Sequence, residues 1–164
     1  MIKMDRKTAT EELFTLNVET TDMDKTDYMV YLGNKGVPLD IITCLDSLWN
    51  TTKKIGSTTI HLGKIILMKL VEFIQAHPHA AIGLVLGAAV GSLVSLVPFI
   101  GPLLAPLTAA IGAIYGFCVG SKIDYSKCKD TTTPFEGLIM LANDFFKTLA
   151  EIFSILKEQL FGRA

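Results

Sequence analysis

Residues 80–97 read AAIGLVLGAAVGSLVSLV, residues 98–102 read PFIGP, and residues 103–121 read LLAPLTAAIGAIYGFCVGS. This whole stretch contains no Asp, Glu, Lys or Arg. Each arm is close to the roughly 20 apolar residues that a helix needs to cross the hydrocarbon core of a bilayer. We therefore expect a helical hairpin over residues 80–121 whose two arms span a membrane.

Glycine recurs at every fourth position in both arms of the hairpin. The repeat places a glycine ridge on each helix, formed by Gly83, Gly87 and Gly91 in the first arm and by Gly112, Gly116 and Gly120 in the second. Small residues of this kind let membrane helices approach closely. The residues that favour a turn between the arms are Pro98, Gly101 and Pro102. If the chain folds back between Gly101 and Pro102, each glycine of one arm lies opposite a glycine of the other arm, as Gly87 lies opposite Gly116. We therefore expect the two ridges to pack together.

Two amphipathic stretches flank the hairpin, and both favour helix. Residues 37–77 begin with Val37-Pro38 and carry apolar residues at helical spacing, while Gly56 and Gly63 are positions where this helix can kink or split. Residues 133–161 begin with a capping signal, Thr133-Pro134-Phe135-Glu136. The docking face predicted on this second helix consists of Phe145, Leu149, Ile152 and Leu156.

The remaining segments are polar. Residues 1–36 form a Thr- and Asp-rich head, and residues 122–132 form a charged connector. No hairpin dipeptide stands between two alternating apolar runs, so the sequence predicts no β-sheet. The predicted fold class is therefore all-α.

Several functional classes are disfavoured by the composition. A net charge of -1 offers no basic surface for nucleic acid. The chain lacks the sequence motifs of phosphate loops, dinucleotide folds, zinc peptidases and serine hydrolases. The cysteines, Cys44, Cys118 and Cys128, are odd in number and widely spaced, which is not typical of a disulfide framework or a zinc site. We therefore expect no enzyme activity, no cofactor and no metal.

The order of polar head, amphipathic helix, Gly- and Ala-rich hairpin and helical tail resembles two known groups of proteins. It is similar to the hydrophobic hairpin of pore-forming colicins, and it also resembles the bilobed hairpins of bacterial inclusion-membrane effectors. The resemblance covers the hairpin and implies a protein that acts in a lipid bilayer.

The function predicted from these features is that of a small integral membrane protein that self-associates through its glycine-ridged hairpin and forms a homo-oligomeric pore or a membrane-perturbing assembly. Lysines flank the hairpin on both sides, so both chain termini are expected in the cytoplasm. One alternative is a membrane anchor whose amphipathic helices dock a partner protein. Another is a soluble helical assembly in which the hairpins bury one another in a ring or filament.

Overall fold

A computed structural model describes residues 4–78, 80–115 and 132–161 of the chain. Of these described residues 80% are helical, which confirms the predicted all-α class. The helices in this part of the chain are α1 Arg6–Glu19, α2 Lys25–Asn34, α3 Leu39–Trp49, α4 Leu62–Ala76, α5 Ile82–Leu96, α6 Gly101–Tyr115, α7 Thr132–Ile155 and α8 Lys157–Phe161. Short 3-10 turns occupy Thr20–Asp22 and Pro98–Ile100, and a small antiparallel hairpin pairs β1 Lys53–Ile55 with β2 Thr58–Ile60.

The polar head folds as two capped helices. Asp5 caps α1 by accepting a hydrogen bond from the backbone N–H of Thr8, and Asp24 caps α2 in the same way. These side chains satisfy backbone donors that a helix start leaves without partners. The N-terminus is also joined to the C-terminal part of the fold, because the Met4 N–H donates to the Glu151 carboxylate at 3.3 Å. The head is thus part of the helical bundle.

The stretch 37–77, expected as one helix, is divided into α3 and α4 with the β-hairpin between them. Gly56 lies in this hairpin with a φ of 62°, a backbone conformation that a helix excludes and that glycine adopts without strain. The Asn17 side chain of α1 fixes the second strand: its Nδ2 donates to the Thr59 carbonyl at 3.0 Å, and its Oδ1 accepts from the His61 N–H at 2.8 Å. Each of the two helices still buries its apolar side, with Ile41 and Leu45 on α3 and Ile66 and Leu70 on α4.

α4 starts in very close contact with the end of α3. The Gly63 N–H donates to the Thr51 carbonyl at 3.0 Å, and a Cβ added at Gly63 would overlap the carbonyl oxygen of Leu48. Only glycine fits there without moving a neighbouring backbone. Gly63 therefore allows α4 to lie directly on α3.

α5 is the inner helix of the bundle. Almost all of its length is buried, and its most extensive contact is with α7, while α6 and α4 cover further sides. Its buried Ser92 hydroxyl donates to the Asn143 side-chain oxygen of α7 at 2.7 Å. The structure covers α5 within a single chain.

No helix in the described part of the chain is both long enough and apolar enough to cross a membrane. α5 has 15 residues, as does α6 as far as it is described, so at about 1.5 Å per residue each is roughly 22 Å long, against a hydrocarbon core of roughly 30 Å. The predictions of a membrane-spanning hairpin, a homo-oligomeric pore and a membrane location with cytoplasmic termini are therefore wrong. Hydropathy counted Ala81 and Val97 into the first arm, although both lie outside α5 with non-helical backbone.

Opposite effects are expected from Gly→Ala substitution at two helical positions. Gly63→Ala forces the α3 and α4 backbones apart and should lower the free energy of unfolding by about 3 kcal/mol. Gly137, in α7, has open space around its missing Cβ, so Gly137→Ala should raise stability by up to about 1 kcal/mol through helix propensity. Urea unfolding followed by circular dichroism measures both changes. A Gly63→Ala variant as stable as the parent would contradict the close contact.

Candidate interaction surfaces

The predicted docking face on α7 is mostly part of the core. Leu149, Ile152 and Leu156 are each at most 4% exposed, whereas Phe145 is 37% exposed. The Phe145 ring also packs inward, with its centroid 5.4 Å from that of Phe73 on α4. Of the four residues, only Phe145 is therefore accessible to a partner while the chain stays folded.

The predicted glycine ridges are only partly described. Gly83, Gly87 and Gly91 are buried in α5, and Gly112 is half-buried on α6. Gly116 and Gly120 lie outside the described residues, as does most of the predicted connector. Ridge-to-ridge packing therefore stays a prediction. Of the predicted turn residues, Pro98 belongs to the 3-10 turn, and Gly101 and Pro102 begin α6.

An apolar strip lies on the outward side of α7, and sequence reasoning missed it. Met140 is 69% exposed and Leu141 is 50% exposed, and Phe145 continues the same side one turn further along. The opposite side of the helix carries buried residues such as Ala142 and Phe146. We call Met140, Leu141 and Phe145 the α7 strip. Only Phe145 belongs to the predicted docking face. Met140 and Leu141 lie outside the apolar stripe that the spacing indicates, so the sequence pattern did not predict the strip as a whole.

A groove of about 380 Å³ runs between α2 and α3. Its apolar lining is formed by Met29, Val30, Leu39 and Ile42, of which Leu39 is 75% exposed and Val30 is 54% exposed. An ion pair at its rim joins Lys25 of α2 to Asp46 of α3 at 2.7 Å. We call this feature the α2–α3 groove. A group of neighbouring apolar side chains that are this exposed is typical of a surface that binds something.

The turn between α2 and α3 holds the groove in a fixed shape. Gly36 has a φ of 93°, and its N–H donates to the Gly33 carbonyl at 3.0 Å. The next residue, Val37, is buried, and its N–H donates to the Leu32 carbonyl at 3.0 Å. These bonds satisfy the end of α2 and set its angle to α3. The turn thus helps to fix the position of α2 beside α3.

The outer side of α6 is a third uncharged surface. Most of its exposed residues are small or cyclic, namely Pro102, Ala105, Pro106, Ala109 and Ala113, and Ile114 near its end is the one large apolar residue among those described, at 38% exposed. Small and cyclic side chains offer little apolar area to a partner. This side of α6 therefore gives weaker evidence of binding than the α7 strip or the α2–α3 groove.

A smaller groove between α2 and α4 contains two tyrosines. The Tyr28 ring packs against Trp49 with centroids 5.8 Å apart, and the groove is also lined by Tyr31 and Glu72. Burial raises the pKa of the Tyr28 phenol above its ordinary value of 10.0, and the charge of Glu72 raises it further. Burial also raises the pKa of Tyr31. Both side chains are therefore neutral phenols at physiological pH.

Side chains that could bind a metal ion are not grouped in the described ranges. No group of three or more His, Cys, Asp or Glu side chains is placed there to hold a metal ion. Cys44, on α3, is a free thiol. No protein-family model, curated protein or solved structure matches the chain.

The burial on α7 predicts a large contrast between two positions. Leu149→Asp removes a buried apolar side chain and introduces an unpaired charge, so it should lower the free energy of unfolding by about 3 to 5 kcal/mol. Lys147→Ala, on the exposed side, should change it by less than about 0.5 kcal/mol. Chemical unfolding measures both. Similar losses at the two positions would show that the core side of α7 is assigned incorrectly.

The raised pKa of Tyr28 predicts a loss of stability in alkaline solution. The unfolded phenol ionises near its ordinary pKa and the folded one above it, so the stabilisation is complete below the unfolded value and is lost as pH rises through the folded value. The difference in phenolate absorbance between the parent and Tyr28→Phe isolates this titration. Glu72→Gln should lower the pKa of Tyr28, and an unchanged titration would exclude the contact with Glu72.

Proposed function

We propose that this chain is a structural protein without enzymatic activity that assembles with copies of itself. The observation that carries the proposal is the α7 strip, where Met140 and Leu141 are 69% and 50% exposed on a helix whose other side forms the core. Removing apolar surface from water is favourable by about 25 cal/mol per Å². A folded chain that presents such a strip is stabilised when another surface covers it.

The overall charge supports a second copy as the partner. The formal net charge is -1, so two copies repel each other only weakly, and proteins near zero net charge associate more readily. The charged residues beside the α7 strip are of both signs, since Asp144 and Lys147 are both exposed on the same helix. Because the surface carries both charges, two copies that meet there do not face a strong electrostatic repulsion.

The assembly proposed here differs from the one expected from the sequence. In the sequence-based alternative, hydrophobic hairpins bury one another between subunits. In the structure, α5 is already covered by α4, α6 and α7 of its own chain. The contacts between copies are therefore proposed on the outer surfaces, with α5 as the interior of each subunit.

Self-association should depend on Met140. Sedimentation equilibrium of the full chain over a wide concentration range should show reversible association, and Met140→Lys should weaken it about tenfold or more because it places a charge in an apolar contact. Val18→Lys is the matched control: Val18 is 66% exposed, close to the 69% of Met140, but lies on α1. A parent protein that stays monomeric at every concentration would refute the proposed function.

A further inference from the structure

The exposed apolar residues form two surfaces of different shape. The α7 strip is convex, as the side of a helix must be, and the α2–α3 groove is concave, with a volume of about 380 Å³. A helix that presents apolar side chains fits an apolar groove, as in many helix-in-groove complexes. Two convex strips placed together would leave both grooves uncovered. The shapes therefore favour a strip from one copy in the groove of another.

The two surfaces belong to different parts of the molecule. α7 makes its main contacts with α5, α1 and α4, whereas α2 packs mainly on α3, and α3 packs on α4 and α6. The strip and the groove are therefore not positioned to cover each other within one chain. Each copy presents both surfaces at once.

The charges beside the two surfaces are compatible. The rim of the groove has one base and one acid, Lys25 and Asp46, paired at 2.7 Å and 42% and 48% exposed. The strip also has one acid and one base beside it, Asp144 and Lys147, both exposed. An exposed ion pair contributes little by itself, so exchange of partners across an interface costs little. Electrostatic repulsion therefore does not keep the strip of one copy away from the groove of another.

From these observations we infer that copies of this chain join head to tail, with the α7 strip of one copy seated in the α2–α3 groove of the next. The inference rests on the proposed function and adds the geometry of the contact. An interface between two different surfaces leaves one strip and one groove uncovered at the ends of any open assembly. Growth therefore continues until the copies close into a ring, or it produces a filament.

Two single substitutions, each blocking one surface, test this geometry. Leu39→Lys places a charge in the groove, and Met140→Lys places one in the strip; both side chains are largely exposed, at 75% and 69%, so the fold should be retained. Each variant alone should be monomeric where the parent is assembled. An equimolar mixture should form a heterodimer and nothing larger, because only one intact strip and one intact groove can meet.

The outcomes separate the geometry from the proposed function. If the parent assembles and Leu39→Lys assembles equally well, self-association stands and the groove is excluded from the contact. If the parent assembles and the mixture stays monomeric, the strip and the groove do not meet and the inference is refuted. A monomeric parent refutes the proposed function itself.

A third variant controls for the other uncharged surface. Ala109→Lys adds the same charge to the outer side of α6, where Ala109 is exposed. It should leave the size of the assembly unchanged. A loss of assembly in this variant, with circular dichroism equal to that of the parent, would move the contact to α6 and overturn the inference.

Discussion

The uncharged helix α5 must be shielded on nearly all sides, and the positions of the other helices follow from this requirement. Small residues on α5 allow neighbours to come close, and α4, α6 and α7 use that space. The longest of these, α7, makes the most extensive contact. The single buried hydrogen bond described across it, between Ser92 and Asn143, fixes how the two helices align, because a misaligned pair would leave a buried hydroxyl without a partner.

The sequence predicted the buried residues better than the lengths of the helices. The apolar stripe through Ile41, Leu45, Ile66 and Leu70 is buried as its spacing indicates. The break within 37–77 was named only as a place where the helix can split, because the apolar spacing runs on across Gly56. The Asn17 side chain, distant in sequence, makes two hydrogen bonds to the second strand and its end: it donates one to the Thr59 carbonyl and accepts one from the His61 N–H. The pattern of residues around Gly56 cannot indicate contacts that join residues 42 and 44 positions apart.

The hydropathy of residues 80–121 led to the wrong prediction of a membrane-spanning hairpin. A run of uncharged residues avoids water, but lipid and the interior of a protein satisfy that preference equally well. The difference lies in length and in the supply of other apolar faces. The length of α5 is set by the non-helical backbone at Ala81 and Val97, and the shielding faces come from α4 and α7. The candidate surfaces could not be predicted from the sequence. Leu39 and Met140 are exposed because no other described helix packs over them, and this is visible only in the folded structure.

The order of the elements along the chain has a consequence for biosynthesis. The main cover of α5 comes from α7, which begins at Thr132, and α1 also packs on α7. A chain is made from its N-terminus, so α5 is synthesised before α7. Contacts between segments so far apart form late in folding. During that interval α5 lacks its most extensive contact, and the apolar side that α7 later covers makes the nascent chain more prone to aggregate.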